Sequence, residues 1–381
     1  MFTHQEELIS KISDGQLQDF IYKQKDVLLL PIEVECGNLV FTELFKRWDK
    51  FVKLISETEW LQDSLPIVRK SMQYIKRAIK CYYALDIVAS NNAMRNLLKV
   101  IQNTSFVSEL DKLYCDTESS LWYRARVGDF NSYTKDDLNH IPFDKRKKIT
   151  NQRYSINGIP CLYLGGSVLS CWEEMNRPSS DSLWVNWYRP KYPTATKILN
   201  LGMTAYMISH PEYRSTANFR REQIIHEFFE LWILQSACSV IVKETDRIFI
   251  EEYIVPQLLM QNISHIGIDG VQYFSVKMHD AYFERYGWLS RNLAFPAKDT
   301  MKGEKHSKEI DEMFTSSIPV NIGMLNRGFI PVATTDLTFG SINLARTHAI
   351  IPITQGLSYK YSDTIFYKIE QELIKGKYTS I

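Results

Sequence analysis

The sequence predicts an α+β protein whose N-terminal part is mostly helical. Three observations lead to this prediction. Apolar residues recur at helical spacing between residues 41 and 55, and a second such face follows Pro66. From about residue 119, short apolar runs alternate with turn residues, as strands do. Between those runs, residues 218–235 and 248–261 again have helical patterning, so we expect helices packed on a mixed sheet.

The N-terminal elements follow from local signals. The first predicted helix carries the apolar residues Phe41, Leu44, Phe45, Trp48, Phe51 and Val52. Ser64 can cap the next helix, with Pro66 in its first turn. Arg69, Lys76, Arg77 and Lys80 lie largely off the apolar stripe of that helix, which is typical of a solvated face. A strand is expected within residues 26–35, ahead of the helices.

The later part of the chain divides into two predicted segments. Strands are expected at 121–123, 159–165, 184–187, 197–201, 238–242 and 270–275. Residues 298–317 are polar and charged and predict an exposed excursion, and the tail predicts a β-like piece at 349–354 and a helix at 364–375. The predicted organisation is therefore a helical regulatory or partner domain at 1–115, a catalytic domain at 116–297, and an extension at 298–381 that packs on the core.

Composition and charge exclude several classes of protein. The chain has 381 residues, with 45 Lys and Arg against 44 Asp and Glu, and thus a net charge of +1. This balance gives no overall field to attract nucleic acid or an acidic membrane. No run approaches the roughly 20 apolar residues of a membrane span, and the polar start lacks a secretory pattern. We expect a cytoplasmic protein with neither a membrane nor a nucleic acid as partner.

The sequence lacks the usual motifs of metal sites and dinucleotide sites. The six cysteines form no close pair, so we expect buried reduced thiols rather than a zinc site or a disulfide framework. His226 and Glu227 resemble the start of a zinc-protease helix, but Glu230 stands where the second histidine is needed. The glycine pattern of a Rossmann dinucleotide site does not occur in the sequence. We therefore expect no metal.

Three segments concentrate arginine, tyrosine, glutamate and serine near predicted strand ends: 122–126, 153–174 and 270–275, the last followed by 292–295. Arginine offers a fixed fork of donors for phosphate oxygens, and tyrosine offers a flat face for a ring. A carboxylate beside a glycosidic bond can stabilise an oxocarbenium-like centre. These residue types suit a nucleotide with a diphosphate, although surface ion pairs and core tyrosines use the same residues.

The spacing of these residues resembles the RES domain family. The matched positions are Tyr123, Arg124, Arg153, Gly158, Tyr163, Glu174, Ser275 and Asn292. Arg153 and Tyr163 lie ten residues apart and Glu174 follows eleven residues later, as in the family pattern. Ser155 departs from it, because the family has an asparagine there. The likeness covers about residues 119–296.

The resemblance implies a fold and an activity. RES proteins look like relatives of ADP-ribosyltransferases, with a split β-sheet around an NAD cleft. Members are toxins, often paired with an antitoxin, that consume NAD by hydrolysis or phosphorolysis or transfer ADP-ribose to a protein. By this resemblance we expect an NAD+-consuming toxin or defence effector with NAD+ as substrate, a NAD+ glycohydrolase without metal. An antitoxin or regulatory protein is an expected partner, and a homo-oligomer stays open.

The resemblance also implies site residues that bind the substrate. Arg124 and Arg153 would grip the diphosphate or ribose side of NAD+. Tyr163 would line the nicotinamide pocket, supported by Tyr123. Asn292 belongs to the same expected binding set.

Two residues are implied in the chemistry together with Arg124. Glu174 would stabilise the ribosyl cation and orient water, and Ser275 would position that carboxylate or the ribose. Glu173 is adjacent to Glu174, and neighbouring side chains on a helix point about 100° apart, so we expect only one in the pocket and favour Glu174. The acceptor stays open among water, phosphate and protein, and a nucleotide-sensing module without catalysis is the alternative of another class.

Overall fold

The computed structural model describes residues 4–110, 121–128, 133–211, 220–244, 247–278, 289–328, 350–354 and 357–375. Within these ranges helices and strands are interspersed, and the strands form mixed pairings. The predicted α+β class is therefore confirmed.

The helices begin and end as follows. In chain order they are α1 (His4–Ser10), α2 (Asp14–Lys23), α3 (Lys25–Leu28), α4 (Val40–Glu57), α5 (Leu65–Tyr83), α6 (Ile87–Ile101), α7 (Val168–Glu174), α8 (Ala205–Ser209), α9 (Arg221–Cys238), α10 (Ile254–Asn262), α11 (Lys308–Met313), α12 (Ile322–Gly328) and α13 (Ile365–Lys375). Several of them are joined by short 3₁₀ helices, which include Asp136–Leu138 and Tyr361–Asp363.

The strands are shorter than the helices. In chain order they are β1 (Ile32–Val34), β2 (Val107–Glu109), β3 (Trp122–Val127), β4 (Cys161–Gly165), β5 (Leu183–Pro190), β6 (Lys197–Leu201), β7 (Val240–Val242), β8 (Gly270–Phe274), β9 (Arg291–Pro296), β10 (Phe314–Ser316), β11 (Val320–Asn321), β12 (Ile350–Thr354) and β13 (Leu357–Lys360). The strand expected within 26–35 is only β1, because α3 occupies its first part.

The chain forms two compact units. Unit 1 comprises residues 1–112, 150–157 and 197–271, and unit 2 comprises 113–149, 158–196 and 272–381. The helical N-terminal part, up to residue 112, thus packs in one unit with residues 197–271. The physical reason is α9, whose helical pattern lacks a polar face, so that it must be covered on all sides.

Aromatic side chains hold α9 in the core of unit 1. The ring of Trp232 stacks on Phe51, with centroids 4.1 Å apart, and its Nε1 donates to the carbonyl of Leu28 at 3.2 Å. Trp48 Nε1 donates to Ser236 Oγ at 2.8 Å. Unit 1 also contains the parallel pair β1–β7 and the antiparallel pair β2–β6. The predicted amphipathic helix at 41–55, observed as α4, supplies the apolar face that covers α9.

Unit 2 is built on strands in the order β10-β5-β3-β4-β9-β8, and β11 also pairs with β5. Strand β3 pairs with β5 at six positions and β4 pairs with β9 at five, but β3 pairs with β4 only at Tyr123 and Gly165. The sheet of unit 2 is therefore split between β3 and β4.

The polar segment 298–317 is not wholly an exposed excursion. Its end forms α11 and then β10, which pairs antiparallel with β5 between Phe314 and Pro190. A buried contact ties its middle to the unit, since the amide of Ser307 donates to His140 Nε2 at 2.8 Å. The polar composition of the segment concealed this strand, because an edge strand tolerates polar residues on its open side.

The C-terminal part of unit 2 contains the hairpin β12–β13 and then α13. Both the predicted β-like piece and the predicted closing helix are confirmed. Phe366, Ile369 and Leu373 of α13 are buried in one apolar cluster with Val168 and Leu169 of α7. The C-terminal helix therefore packs on α7.

In the described part of the chain, we find no helix with both the length and the apolar composition needed to traverse a bilayer.

Candidate functional site

The candidate site in unit 2 is organised by the turn from β4 into α7. Ser167 caps the helix: its Oγ accepts from the amide of Ser170 at 2.9 Å and donates to the carbonyl of Leu289 at 2.7 Å. A capping residue of this kind satisfies one of the amides that a helix N-terminus leaves open. Helix α7 thus begins at a defined point and carries Glu174 as its last residue.

A row of three paired residues runs across the strands beneath α7. Gly165 of β4 pairs with Tyr123 of β3 on one side and with Asn292 of β9 on the other. A Cβ at Gly165 would lie 2.5 Å from Ser170 Oγ and 2.7 Å from Cys171 Sγ. Glycine is therefore required here because the first turn of α7 lies directly on the strand.

We predict that Gly165→Ala destabilises the protein by about 1–3 kcal/mol, the usual cost of overpacking a rigid site. Ser170 and Cys171 are buried and short, so neither can swing away from the new methyl group. The matched control is Gly15→Ala in α2, where an added Cβ meets nothing within 4 Å and alanine favours the helix. Thermal unfolding measures both, and equal midpoints for the two variants would contradict this account of Gly165.

Glu174 and Asn292, two of the predicted site residues, lie in hydrogen-bond contact. Asn292 Nδ2 donates to Glu174 Oε1 at 2.9 Å. The pairing of Asn292 with Gly165 places its side chain on the same sheet face as α7, where Glu174 ends the helix. Glu174 makes no ion pair with any cation of the described residues. An amide donor therefore holds this carboxylate without neutralising its charge.

Glu173 has a different environment. It is buried, and its Oε2 accepts from Arg177 Nε at 2.8 Å. Asn176 and Arg177 have positive φ angles of 61° and 55°, and this turn returns the Arg177 guanidinium to the ring of Trp172 at 5.4 Å. Among the described residues, Glu173 is thus the glutamate whose carboxylate forms an ion pair, and the Glu174 carboxylate forms none.

Ser275 is connected to Glu174 through a lysine that the sequence did not single out. Ser275 is fully buried, and its Oγ accepts from the amide of Lys277 at 3.2 Å. Lys277 Nζ donates to the carbonyl of Glu174 at 2.9 Å and to Asn176 Oδ1 at 3.1 Å. A cation at the C-terminal end of a helix is electrostatically favourable. In the sequence, the position of this lysine two residues after Ser275 is the signal that could have pointed to it.

Arg124 lies at the split in the sheet. Its Nη1 donates to the carbonyl of Tyr163 at 2.8 Å and its Nη2 to that of Asn139 at 3.2 Å, so the guanidinium reaches from β3 to β4. Because successive residues of a strand point to opposite faces, Arg124 lies on the face opposite to Tyr123 and α7. Burial lowers the pKa of Arg124.

A second arginine lies beside Arg124. Arg126 Nη2 donates to the same carbonyl of Asn139, at 2.9 Å. Burial, and next the charge of Arg124, lower the pKa of Arg126 to about 10. Neither guanidinium forms an ion pair with a carboxylate in the part of the chain that the structure describes. Among the described residues, the two arginines therefore make a positive centre at the split without an ion-paired carboxylate.

The two predicted tyrosines differ in position. Tyr163 is partly exposed. It precedes Gly165 by two residues in β4, so both residues lie on the same face of the sheet. Tyr123 is only 2% exposed and packs with Val168 and Cys171 of α7. Tyr123 is thus part of the core beneath α7 rather than a surface that a ligand ring can contact, whereas Tyr163 retains accessible area.

Arg153 belongs to unit 1, not to unit 2. Its guanidinium donates to the carbonyls of Cys238 at 3.2 Å and Val240 at 2.8 Å, and it lies 5.0 Å from the ring of Tyr253. These contacts explain Arg153 as a link between α9, β7 and the loop 150–157. Its expected part in diphosphate binding stays a prediction.

The cysteines of unit 1 and unit 2 and the potential metal ligands were also features of the sequence prediction. The described cysteines are free, and Cys115 lies outside the described residues. Burial raises the pKa of Cys161, Cys171 and Cys238 to about 12, so these thiols stay protonated at neutral pH. The described residues contain no group of histidine, cysteine or acidic side chains arranged to hold a metal ion.

The fold and site together define an α+β protein with a split sheet, a positive centre at the split and an amide-held carboxylate at the end of α7. A curated protein named "Putative toxin YopC", from Bacillus subtilis (strain 168), is 35% identical over 204 residues, 52% of this chain and 46% of that protein. The chain thus spans about half the length of this relative. No family model matches the chain, and no solved structure matches it.

Proposed function

We propose that this protein is a toxin that cleaves the N-glycosidic bond between nicotinamide and ribose in NAD+. The name of the 35% identical relative supports the toxin part of the proposal. The ordered resemblance to RES domains supports NAD+ as the substrate. The observation that carries the proposal is the Glu174 carboxylate, which Asn292 holds at 2.9 Å without neutralising it.

The chemistry needs such a carboxylate. When the bond from the ribose C1′ to the nicotinamide nitrogen breaks, the electron pair leaves with nicotinamide, which becomes neutral. Positive charge then develops on the ribose, and a fixed anion beside it lowers the barrier. Water adds to C1′ and loses a proton, so that NAD+ and water yield ADP-ribose, nicotinamide and one proton. In this proposal Glu174 stabilises the ribosyl cation and orients the water.

The diphosphate of NAD+ needs positive charge. In this proposal Arg124 and Arg126 supply it from the sheet face opposite to α7, so that NAD+ extends through the split between β3 and β4 to reach Glu174. Their guanidinium groups are close enough to share the carbonyl of Asn139. An anion between them would relieve their mutual repulsion, which is the second cause of the lowered pKa of Arg126. Tyr163 then offers a ring face for nicotinamide.

A toxin that consumes NAD+ must be restrained in the cell that makes it. The proposal therefore includes a regulatory protein as partner.

The test is incubation of the purified protein with adenine-labelled NAD+, with and without phosphate, followed by mass spectrometry. Free ADP-ribose and nicotinamide support the proposal. Label attached to protein, or an ADP-ribose phosphate formed only with phosphate present, would replace hydrolysis by transfer or phosphorolysis. Calorimetric binding of NAD+ with no product would overturn the enzymatic proposal in favour of a sensing module.

A further inference from the structure

A buried carboxylate from the C-terminal helix lies against the N-terminus of α7. Glu370 of α13 is 2% exposed. Its Oε1 accepts from the amide of Val168, the first residue of α7, at 2.8 Å. The same oxygen accepts from the hydroxyl of Tyr361 at 2.6 Å. The contact with Val168 joins parts of the chain that are 202 residues apart.

This contact completes the capping of α7. Ser167 accepts from the amide of Ser170, and Glu370 accepts from that of Val168, one of the amides that a helix leaves open at its start. A negative charge at this end is also favourable to the helix dipole. Burial strengthens such a charge-assisted hydrogen bond and makes its loss costly.

Apolar packing and a second hydrogen bond keep α13 in place. The ring of Phe366 lies 5.1 Å from that of Trp172 on α7. Trp187 Nε1 of β5 donates to the carbonyl of Leu373 at 3.0 Å. The C-terminal helix is thus fixed both to α7 and to the sheet, so Glu370 is presented to α7 from a rigid element.

We propose that Glu370 is a positioning residue for Glu174. Helix α7 has seven residues, held by Glu370 at its first amide and by Lys277 at its last carbonyl. A helix this short moves as one body, so release of its N-terminus displaces Glu174 at the other end. This inference rests on the proposed function, because Glu174 is the catalytic carboxylate there.

The first test compares Glu370→Ala, Glu370→Gln and the matched control Glu312→Gln, an exposed carboxylate of α11. We expect E370A to lower kcat for NAD+ by about 10- to 100-fold, the cost of a misplaced catalytic group, with KM nearly unchanged. E370Q keeps an acceptor for the amide of Val168 and is expected to recover part of the loss, while E312Q behaves as wild type. Wild-type kcat in E370A would overturn the proposal.

A double-variant cycle separates positioning from a merely structural role. When Glu174→Gln has removed the charge that Glu370 is proposed to position, E370A should cause little further loss of kcat. If the losses of E174Q and E370A multiply instead, Glu370 acts only on general stability and the proposal is wrong. Should E370A fail to fold, Tyr361→Phe takes its place in the cycle, since it removes one hydroxyl that donates to Glu370.

Hydrogen exchange distinguishes failure of this inference from failure of the proposed function. We expect faster exchange of the α7 amides, residues 168–174, in E370A than in wild type and E312Q. This holds whether or not the protein turns over NAD+. Unchanged exchange would overturn the positioning role. If exchange is faster but the protein does not turn over NAD+, the contact of Glu370 with α7 is supported and only the enzymatic function is refuted.

Discussion

Glu174→Gln is expected to lower NAD+ turnover by about 10² to 10³, the typical cost of removing one electrostatic contact to a transition state. Glutamine keeps the size of the side chain and can still accept from Asn292 Nδ2. It removes only the negative charge, which in the proposed mechanism faces the developing ribosyl cation. Steady-state rates of nicotinamide release measure the effect, with KM expected to change far less than kcat.

The adjacent glutamate provides the matched control. Glu173→Gln makes the same chemical change one residue earlier, on a side chain that pairs with Arg177 rather than with Asn292. We expect E173Q to keep turnover near wild type, with a small loss of stability. If E173Q loses turnover and E174Q does not, the assignment of the two glutamates is reversed, and the proposed chemistry moves to the other residue.

The second prediction is a loss of stability in weak acid that originates at His140. His140 is fully buried. Its Nδ1 lies 2.8 Å from the carbonyl of Ile141, and its Nε2 accepts from the amide of Ser307 at 2.8 Å. The ring must therefore be neutral, with its proton on Nδ1. Burial, and beyond it the charges of His306, Arg124 and Arg126, lower the pKa of His140 to about 4.

The sign and the pH range follow from this pKa. In the unfolded chain a histidine titrates near pH 6.5, so between about pH 6.5 and 4 the unfolded state binds the proton and the folded state does not. The stabilisation is complete above pH 6.5 and is lost as the pH falls. The loss amounts to about 3 kcal/mol at pH 4 and levels off within about one pH unit below it. Denaturant titrations at several pH values measure it.

His140→Gln removes the titration while leaving an oxygen that can accept from Ser307. We expect the difference in stability between wild type and H140Q to shrink as the pH falls from 6.5 to 4. His265→Gln, on an exposed histidine of unit 1, serves as control and should retain the slope of wild type. A parallel pH dependence in wild type and H140Q would refute this role of His140.

Much of the architecture could be predicted because it depends on local pattern. The period of apolar residues identified α4, observed at Val40–Glu57, and alternating runs identified β6 at Lys197–Leu201. The strand at 314–316 could not be predicted, because its residues are polar enough to read as loop and its pairing partner lies more than 120 residues earlier. Local pattern carries no information about such a partner.

For the candidate site, motif spacing located Glu174 and Asn292, which the structure joins by a hydrogen bond. Spacing did not locate Lys277 or Glu370, because each acts through a single backbone contact on α7 that leaves no periodic signal. Nor did it separate Tyr123, which is buried, from Tyr163, which is partly exposed. Burial depends on what packs over a strand.

By itself, the sequence determined the α+β class, because helical periodicity and short alternating apolar runs are local properties of the chain. Only the tertiary structure decided which glutamate of the adjacent pair forms an ion pair, through the return of Arg177 to Glu173. It also decided that Arg153 and Arg124 belong to different compact units. Hydrogen bonds and ion pairs select partners by distance in space, which distance along the chain does not encode.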